Sequence, residues 1–248
     1  MYPYIHIVLP SYGTFAVLGG IAVMIFLFFR IDKYNIYFSD FLKMFALCIV
    51  YGVIGSRIVF VISRIPWIIS NFSLKALIST VLGGGFVFYG GLFGVLFGIY
   101  RYSKKHNYDL QKINNMVVPA IPLFHLFGRI GCFFAGCCYG YKLPSAISLF
   151  SIVTIDRFPT QIIESIYNLI LFFIIISGQR KKENLNWLKI YLISYAVFRF
   201  IIEFTRGDAI RGFFLGTSTS QIISVCIVVC YVFVGILKHK NQKENLCS

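Results

Sequence analysis

Acidic residues are scarce in this sequence: nine Asp and Glu stand against 23 Lys and Arg in 248 residues. Charged residues of either sign make up only 13 %, about half the roughly 25 % of a soluble globular domain. So few charges cannot cover a water-facing surface, which excludes a soluble fold. The chain also has no internal repeat, no low-complexity tract and no polar stretch long enough for a separate soluble domain. One transmembrane domain over 1–248 is therefore expected. What is present is apolar: 58 % hydrophobic, 18 % aromatic, with a mean hydropathy of +0.79. The fold class expected is an all-α integral membrane protein. The basic excess is a topology signal and not a nucleic-acid one, so no nucleic-acid partner is expected.

A span needs about 20 apolar residues. Seven windows qualify, at about 12–29, 41–62, 83–100, 113–130, 161–177, 187–204 and 220–237. The first lacks the basic leader and small-residue cleavage pattern of a signal peptide, so it reads as a retained span. With the N-terminus outside, fourteen Lys and Arg fall in the inner connections 30–43, 101–112 and 178–189 and in the tail from 238. Six fall outside: Arg64, Lys75, Lys142, Arg157, Arg206 and Arg211. Cytoplasmic loops carry the positive excess. This predicts seven transmembrane helices, an external N-terminus and a cytoplasmic C-terminus, with the plasma membrane as the site. The basic tail would sit near anionic headgroups. The stretch 131–160, rich in Gly, Pro and Ser, is the longest outer connection and reads as loops or a short re-entrant piece.

The remaining cations, Arg57, Arg129 and Arg199, lie in or at the ends of spans. An ionisable group there is costly unless paired or solvated, so it marks a functional candidate; snorkelling to the interface is the alternative for Arg57 and Arg129. In "YAVFRFIIEFTRGD", Arg199 and Glu203 are four apart and share a helix face, with Arg206 three further on. The stripe is either a buried structural ion pair or a phosphate pocket of forked donors with an acid holding one of them. In "DRFPTQIIESIYN", Pro159 stands near a helix start, with Gln161 and Glu164 on one face of the first turn. Glu164 is there for the helix dipole or for chemistry. In "LGGGFVFYGGLFG", glycines bracket Tyr89. They allow close helix packing, or they let the tyrosine present its hydroxyl to a polar pocket.

These blocks, taken in order, resemble bacterial prolipoprotein diacylglyceryl transferases over nearly the whole chain. "SYGTFAVLGG" is similar to the first-span block, which places Tyr12 on a functional tyrosine. "GSRIVFVI" resembles the second-span arginine block. "GGFVFYGGLFGVLFGIY" resembles a block that usually reads Phe-His-Gly-Gly. "GRIGCFFAGCCYG", residues 128–140, resembles the signature loop Gly-Arg-x-Gly-Asn-Phe-x-Asn-x-Glu-x-x-Gly. "FPTQIIES" and "FRFIIEFTR" resemble the proline–serine/threonine–glutamine block and the Arg–Glu–Arg block. The resemblance implies transfer of the diacylglyceryl group of phosphatidylglycerol to the thiol of a lipobox cysteine in a secreted precursor, with glycerol phosphate leaving. The partners implied are that lipid, that precursor and the surrounding membrane. Arg129 would contact the headgroup, and Arg199 with Glu203 would complete the phosphate pocket. Tyr12 would line the cavity and Gly140 would end the signature loop. Arg57, Gln161, Glu164 and Arg206 join the candidate binding set. No metal and no soluble cofactor are required.

Three departures from that pattern matter. Tyr89 stands where the family usually has histidine, Cys132 where it has the first asparagine, and Cys137 where it has glutamate. A tyrosine, with a reference pKa of about 10 against about 6.5 for histidine, is a poor base. Glu164 or Glu203 would then take the proton, or the acceptor thiol would lose it to water. For Cys132, Cys137 and Cys138 three readings stand. They are packed free thiols, a disulfide in an outward loop, or metal ligands together with His125. Adjacent cysteines are awkward partners in one tetrahedron, so no metal is expected.

Overall fold

The computed structural model describes residues 4–6, 9–70, 73–74, 78, 80, 83, 85, 87–149, 153–207, 213–214 and 217–247. Of the basic positions used for topology, Lys75 and Arg211 lie outside the described residues. The fold is mostly helical. Helix α1 runs Ser11–Phe28, α2 Phe38–Ser63, α3 Ile65–Ser70, α4 Phe88–His106, α5 Leu110–Val117 and α6 Ala120–Ala135. After a hairpin come α7 Thr160–Lys181, α8 Trp187–Ile202 and α9 Thr219–Cys247.

Each of the seven expected windows falls on helix, with two changes. The third helix begins at Phe88, not at residue 83, because Gly85 has φ +146° and Val87 is extended. The fourth window holds two helices, α5 and α6, with a tightened turn at Val118–Pro119, where proline supplies no N–H. Among the described residues four stretches are long and apolar enough to cross a membrane: Ser11–Phe28, Phe38–Ser63, Leu110–Ala135 and Thr160–Lys181. A shorter apolar helix covers Thr219–Phe233. Their apolar side chains turn outward as well as inward: α2 exposes Ile49, Val53, Ile54, Ile58 and Ile62, as a helix bathed in lipid does.

Among the described residues the helical fold also carries three small antiparallel sheets, which the expectation of an all-α chain did not include. β1 (Tyr4–His6) pairs with β2 (Leu9–Pro10), β3 (Lys142–Leu149) with β4 (Val153–Arg157), and β5 (Phe213–Phe214) with β6 (Thr217–Ser218). The long connection 131–160 thus carries a β-hairpin in place of the expected loops or re-entrant piece.

The chain packs as two compact units. The first comprises Met1–Ala16, Leu126–Leu171 and Asn186–Ser248; the second comprises Val17–His125 and Phe172–Leu185. In the second, α2 and α4 cross through glycines. A Cβ on Gly90 would strike the Gly55 carbonyl, and one on Gly94 the Tyr51 carbonyl and, at 3.2 Å, the Gly52 Cα. Close packing therefore accounts for the glycines after Tyr89. The apolar core of this unit includes Leu27, Ile31, Phe41, Met44, Ile99, Ile113 and Met116. Polar links close one end of it. Tyr102 and Tyr108 donate to Asp40 at 3.0 and 2.6 Å, and that hydrogen bond, with burial, pushes the Tyr108 hydroxyl up to about 12. Arg30 donates to the Gln179 amide oxygen at 2.8 Å and to the Tyr34 hydroxyl at 3.0 Å. In the first unit α8 packs on α9, and Tyr167 of α7 stacks on Phe198 of α8 at 3.7 Å between centroids.

Candidate functional site

The first unit gathers five of the expected site residues into one chain of opposite charges. Arg129, from the middle of α6, pairs with Glu164, its Nε lying 2.8 Å from Oε2. Arg199, near the end of α8, donates Nη1 to Glu164 Oε1 at 2.7 Å, and its Nη2 lies 2.6 Å from Glu203 Oε2. Arg206 Nη1 lies 3.8 Å from the same Glu203 oxygen, and Ser220 Oγ of α9 accepts from Arg199 Nη2 at 3.3 Å. The order is Arg129–Glu164–Arg199–Glu203–Arg206. Arg129, Glu164, Arg199 and Glu203 are 8 %, 1 %, 3 % and 4 % exposed. Neither snorkelling, the alternative weighed for Arg129, nor an isolated pair describes this: Arg129 is buried and ion-paired.

Local sequence explains the placement. Helical spacing puts Arg199 and Glu203 one turn apart. The helix stops at Ile202, a single tight turn covers Glu203–Thr205, and Arg206 is extended at φ −80°, ψ 138°. Arg206 is therefore not on a continuing helical stripe, as the spacing suggested. It reaches Glu203 from the next strand-like segment, where it bridges to Gly140. Glu164 is one turn inside α7. The sequence left it as a dipole partner or a base, but it is the hinge of the network, with each carboxylate oxygen held by a different arginine.

The signature loop is anchored to the same unit. Gly140 donates its N–H to the Phe158 carbonyl at 2.9 Å, and Tyr141 donates to Thr205 at 3.0 Å. A Cβ at Gly140 would lie 2.6 Å from both Cβ and O of Phe158 and 2.8 Å from the Thr205 carbonyl. Only glycine lets these segments meet, which is why that position ends the loop. Gln161, a candidate for substrate, instead donates to the Cys137 carbonyl at 2.6 Å, and Thr160 donates to the Cys138 carbonyl at 2.8 Å. Thr160 was not singled out from sequence; its place directly after Pro159, in the first turn of α7, is the signal that would have found it. Tyr12, half exposed at the start of α1, backs onto α6, where a Cβ on Gly131 would come 3.3 Å from the Tyr12 Cα.

The described cysteines are all free thiols, and Cys132, Cys137 and Cys138 put their sulfurs within 4.8 Å of one another. His125, the fourth ligand considered from sequence, has its ring stacked on Phe88 at 3.9 Å between centroids. Two other candidates belong to the second unit. Arg57 donates to the Gly85 carbonyl at 3.0 Å and also to that of Gly83, so it holds the turn before α4. Tyr89 is buried, its ring 6.0 Å from that of Phe88 and 6.5 Å from that of Phe93.

Comparison with known proteins follows the same blocks. A model of the family described as prolipoprotein diacylglyceryl transferase matches residues 3–237. A Clostridium tetani protein named phosphatidylglycerol–prolipoprotein diacylglyceryl transferase is 39 % identical over 231 residues, 90 % of this chain and 91 % of that one. A Clostridium perfringens protein of the same name, numbered 2, is 34 % identical over 246 residues, 95 % and 93 % of the two chains. A Dehalococcoides mccartyi protein with that name is 28 % identical over 250 residues, 96 % and 92 % of the two.

Proposed function

This chain belongs to the prolipoprotein diacylglyceryl transferase family, and from that premise we propose that it moves the diacylglyceryl group of phosphatidylglycerol to the thiol of a lipobox cysteine in a secreted precursor. One observation supports this most directly. The network gathers three guanidiniums and two carboxylates, and forked donors held by acids are the groups that fit a phosphate. A phosphodiester headgroup supplies a single negative charge.

The chemistry follows from that charge. The acceptor thiolate attacks the glycerol carbon that carries the phosphate oxygen. The carbon–sulfur bond forms as the carbon–oxygen bond breaks, and negative charge grows on the departing glycerol phosphate. Arg129 and Arg199 are the forks assigned to that charge, because donors fixed in advance in a dry site stabilise developing charge most strongly. Glu164 and Glu203 hold the forks in place, Arg206 lends further positive field, and Tyr12 and Gln161 border the lipid. Arg57 and Tyr89 take supporting positions in the second unit. The chain works as one transmembrane domain with seven spans, its N-terminus outside and its C-terminus in the cytoplasm of a bacterium, so that the network meets secreted precursors.

Purified protein incubated with labelled phosphatidylglycerol and a lipobox peptide should yield a peptide heavier by one diacylglyceryl group. A peptide of unchanged mass, with the lipid intact, would remove the reading. A reporter fused after Ser248 should read cytoplasmic and one near residue 145 external; the reverse would overturn the charge-based topology.

A further inference from the structure

The cysteine cluster is more constrained than packing requires. Cys132 is buried in the last turn of α6, which ends at Ala135. The chain then folds back on the helix end: Gly136 donates to the Phe133 carbonyl at 3.2 Å and Cys137 to the Cys132 carbonyl at 3.1 Å. Gly136 has φ +71° and Cys138 φ +58°. The left-handed region is easy for glycine, but for a residue with a Cβ it costs roughly 1–2 kcal/mol. That conformation persists where surrounding structure imposes it. Here the two fully buried side chains of Thr160 and Gln161 do so, one on each cysteine carbonyl. Three small thiols filling space need neither the left-handed turn nor the two anchors.

The turn also answers the objection that adjacent cysteines share an ion poorly. That objection assumes regular backbone, in which neighbouring side chains diverge. With Cys138 left-handed, its sulfur and that of Cys137 reach the same point as the sulfur of Cys132, all within 4.8 Å. Among the described residues the cluster contains sulfur alone, with no imidazole and no carboxylate, a donor set that selects soft metals over hard ones. Cys137 is exposed, while Cys132 is buried, so the cluster has an inner and an open side.

We propose that Cys132, Cys137 and Cys138 bind a thiophilic d10 cation, Zn2+ or Cu+, as three thiolates, with one coordination position open to an incoming thiol. Binding exchanges three S–H bonds for three sulfur–metal bonds and releases three protons, without electron transfer. Three protein ligands and one open position are how a reactive zinc centre is built, whereas a purely structural one is closed. Resting on the transferase reading, the thiol assigned to that position is the acceptor cysteine of the precursor. It binds as thiolate and gives its proton to water. When its carbon–sulfur bond forms and glycerol phosphate leaves, the thioether produced is a weak ligand and departs. The cation would thus do for thiol activation what a base does in relatives with histidine at the position of Tyr89.

The test uses the full chain in detergent, fully reduced and without oxygen, titrated with Co2+ as the spectroscopic stand-in for Zn2+. A thiolate-to-cobalt charge-transfer band should saturate at a single equivalent and be displaced by Zn2+. It should vanish in Cys132→Ser and in Cys138→Ser but persist in Cys48→Ser and Cys226→Ser. A parallel titration with Cu+ against a chromogenic chelator decides which cation the site prefers. Independently of any variant, Zn2+ should shield the three thiols of the natural protein from alkylation, as read by mass spectrometry. A lipobox peptide should alter the ligand-field bands of the cobalt protein, and its Cys→Ser version should not. Absence of the band in reduced protein, unshielded thiols, or a disulfide formed within the cluster under these conditions would overturn the site. A band indifferent to the peptide, or undiminished diacylglyceryl transfer by metal-stripped protein, would overturn the acceptor role while leaving the transferase reading standing. Loss of transfer in Arg129→Lys with the cobalt band unchanged would separate the two sites.

Discussion

Arg199 and Arg30 are both arginines on apolar helical chain, and their surroundings differ in kind. Arg199 sits in the first unit between two carboxylates, and each carboxylate is shared with another arginine. Arg30 sits in the second unit among neutral acceptors: the Gln179 amide, the Tyr34 hydroxyl and, at 3.4 Å, the Asn115 carbonyl. Gln179 in turn donates to Asn115 at 2.7 Å, and Asn115 donates to the Glu183 carbonyl at 2.9 Å. Neutral dipoles satisfy a guanidinium's hydrogen bonds and tie chain segments together, but they cannot make a field that favours one ligand charge over another. The lesson is that a buried arginine should be read by its partners: amides and hydroxyls point to a clasp, and carboxylates shared between arginines point to forks held in a fixed orientation.

The sharpest way to break this contrast is Glu164→Gln. Both oxygens of Glu164 are ion-paired, so the amide leaves Arg129 and Arg199 short of a counter-charge in a dry place. Removing one member of a buried ion pair costs about 3–5 kcal/mol, and both arginines lose their fixed orientation as well. We expect a large drop in thermal stability in detergent and near-complete loss of transfer. A variant that melts with the natural protein and turns over at its rate would show that the network neither holds the unit nor serves the reaction.

Arg129→Lys should damage transfer but spare the fold. Lysine keeps the charge and can still pair with Glu164, but an ammonium is a point donor and not a planar fork. Losing one fixed donor at a charge-developing oxygen costs about 100- to 1000-fold in comparable sites. Full activity would move the phosphate pocket elsewhere. Arg199→Lys should match it in rate and exceed it in stability loss, because Arg199 reaches two carboxylates through different nitrogens. Arg206, 3.8 Å from Glu203 and beyond the helix end, is not placed to substitute for it, although sequence spacing suggests that it could.

On the Arg30 side the corresponding change is Gln179→Leu. It removes one acceptor from Arg30 and one donor to Asn115. The expected cost is about 1–3 kcal/mol of stability, the penalty for groups left without partners, with the transfer rate per folded molecule unchanged. A rate loss comparable to Arg129→Lys, at unchanged stability, would erase the distinction between clasp and site.

Much of the site was legible because charge is rare here. Arg129, Arg199, Glu203, Arg206 and Glu164 stand out in a chain that is only 13 % charged, and helical spacing alone pairs Arg199 with Glu203. What spacing cannot give is which segments meet. Glu164 bridges Arg129 and Arg199 across intervals of 35 residues on either side, so its hinge role follows only from the packing of α6, α7 and α8. The glycines around Tyr89 were legible as packing residues, because a missing side chain has few other uses in a helix. The hairpin in 142–157 was not: its strands are short, and Pro144 with several serines reads as loop. The left-handed turn at Cys138 escaped for a related reason, since nothing in "GCCYG" marks a non-glycine residue for that conformation. Gln161 was legible as a candidate, but spacing does not say that its amide reaches the Cys137 carbonyl.

The smallest effect is expected from Tyr89→Phe, and it bears on whether the second unit contributes chemistry at all. Tyr89 takes the family's histidine position, and its ring is buried beside those of Phe88 and Phe93. Phenylalanine keeps the ring and its packing and removes only the hydroxyl. If that hydroxyl positions lipid or acceptor, the loss is about the 1 kcal/mol of one neutral hydrogen bond, which is under tenfold in rate. The measurement is transfer at saturating lipid for Tyr89→Phe and Arg129→Lys side by side, with thermal unfolding of both. Should the tyrosine variant be as inactive as the lysine one while unfolding at the natural temperature, the hydroxyl takes part in the reaction, and proton handling belongs to Tyr89 and not to the cysteine cluster. Should it retain most of its rate, the second unit supports and the first unit reacts, which is what the two kinds of arginine environment lead one to expect.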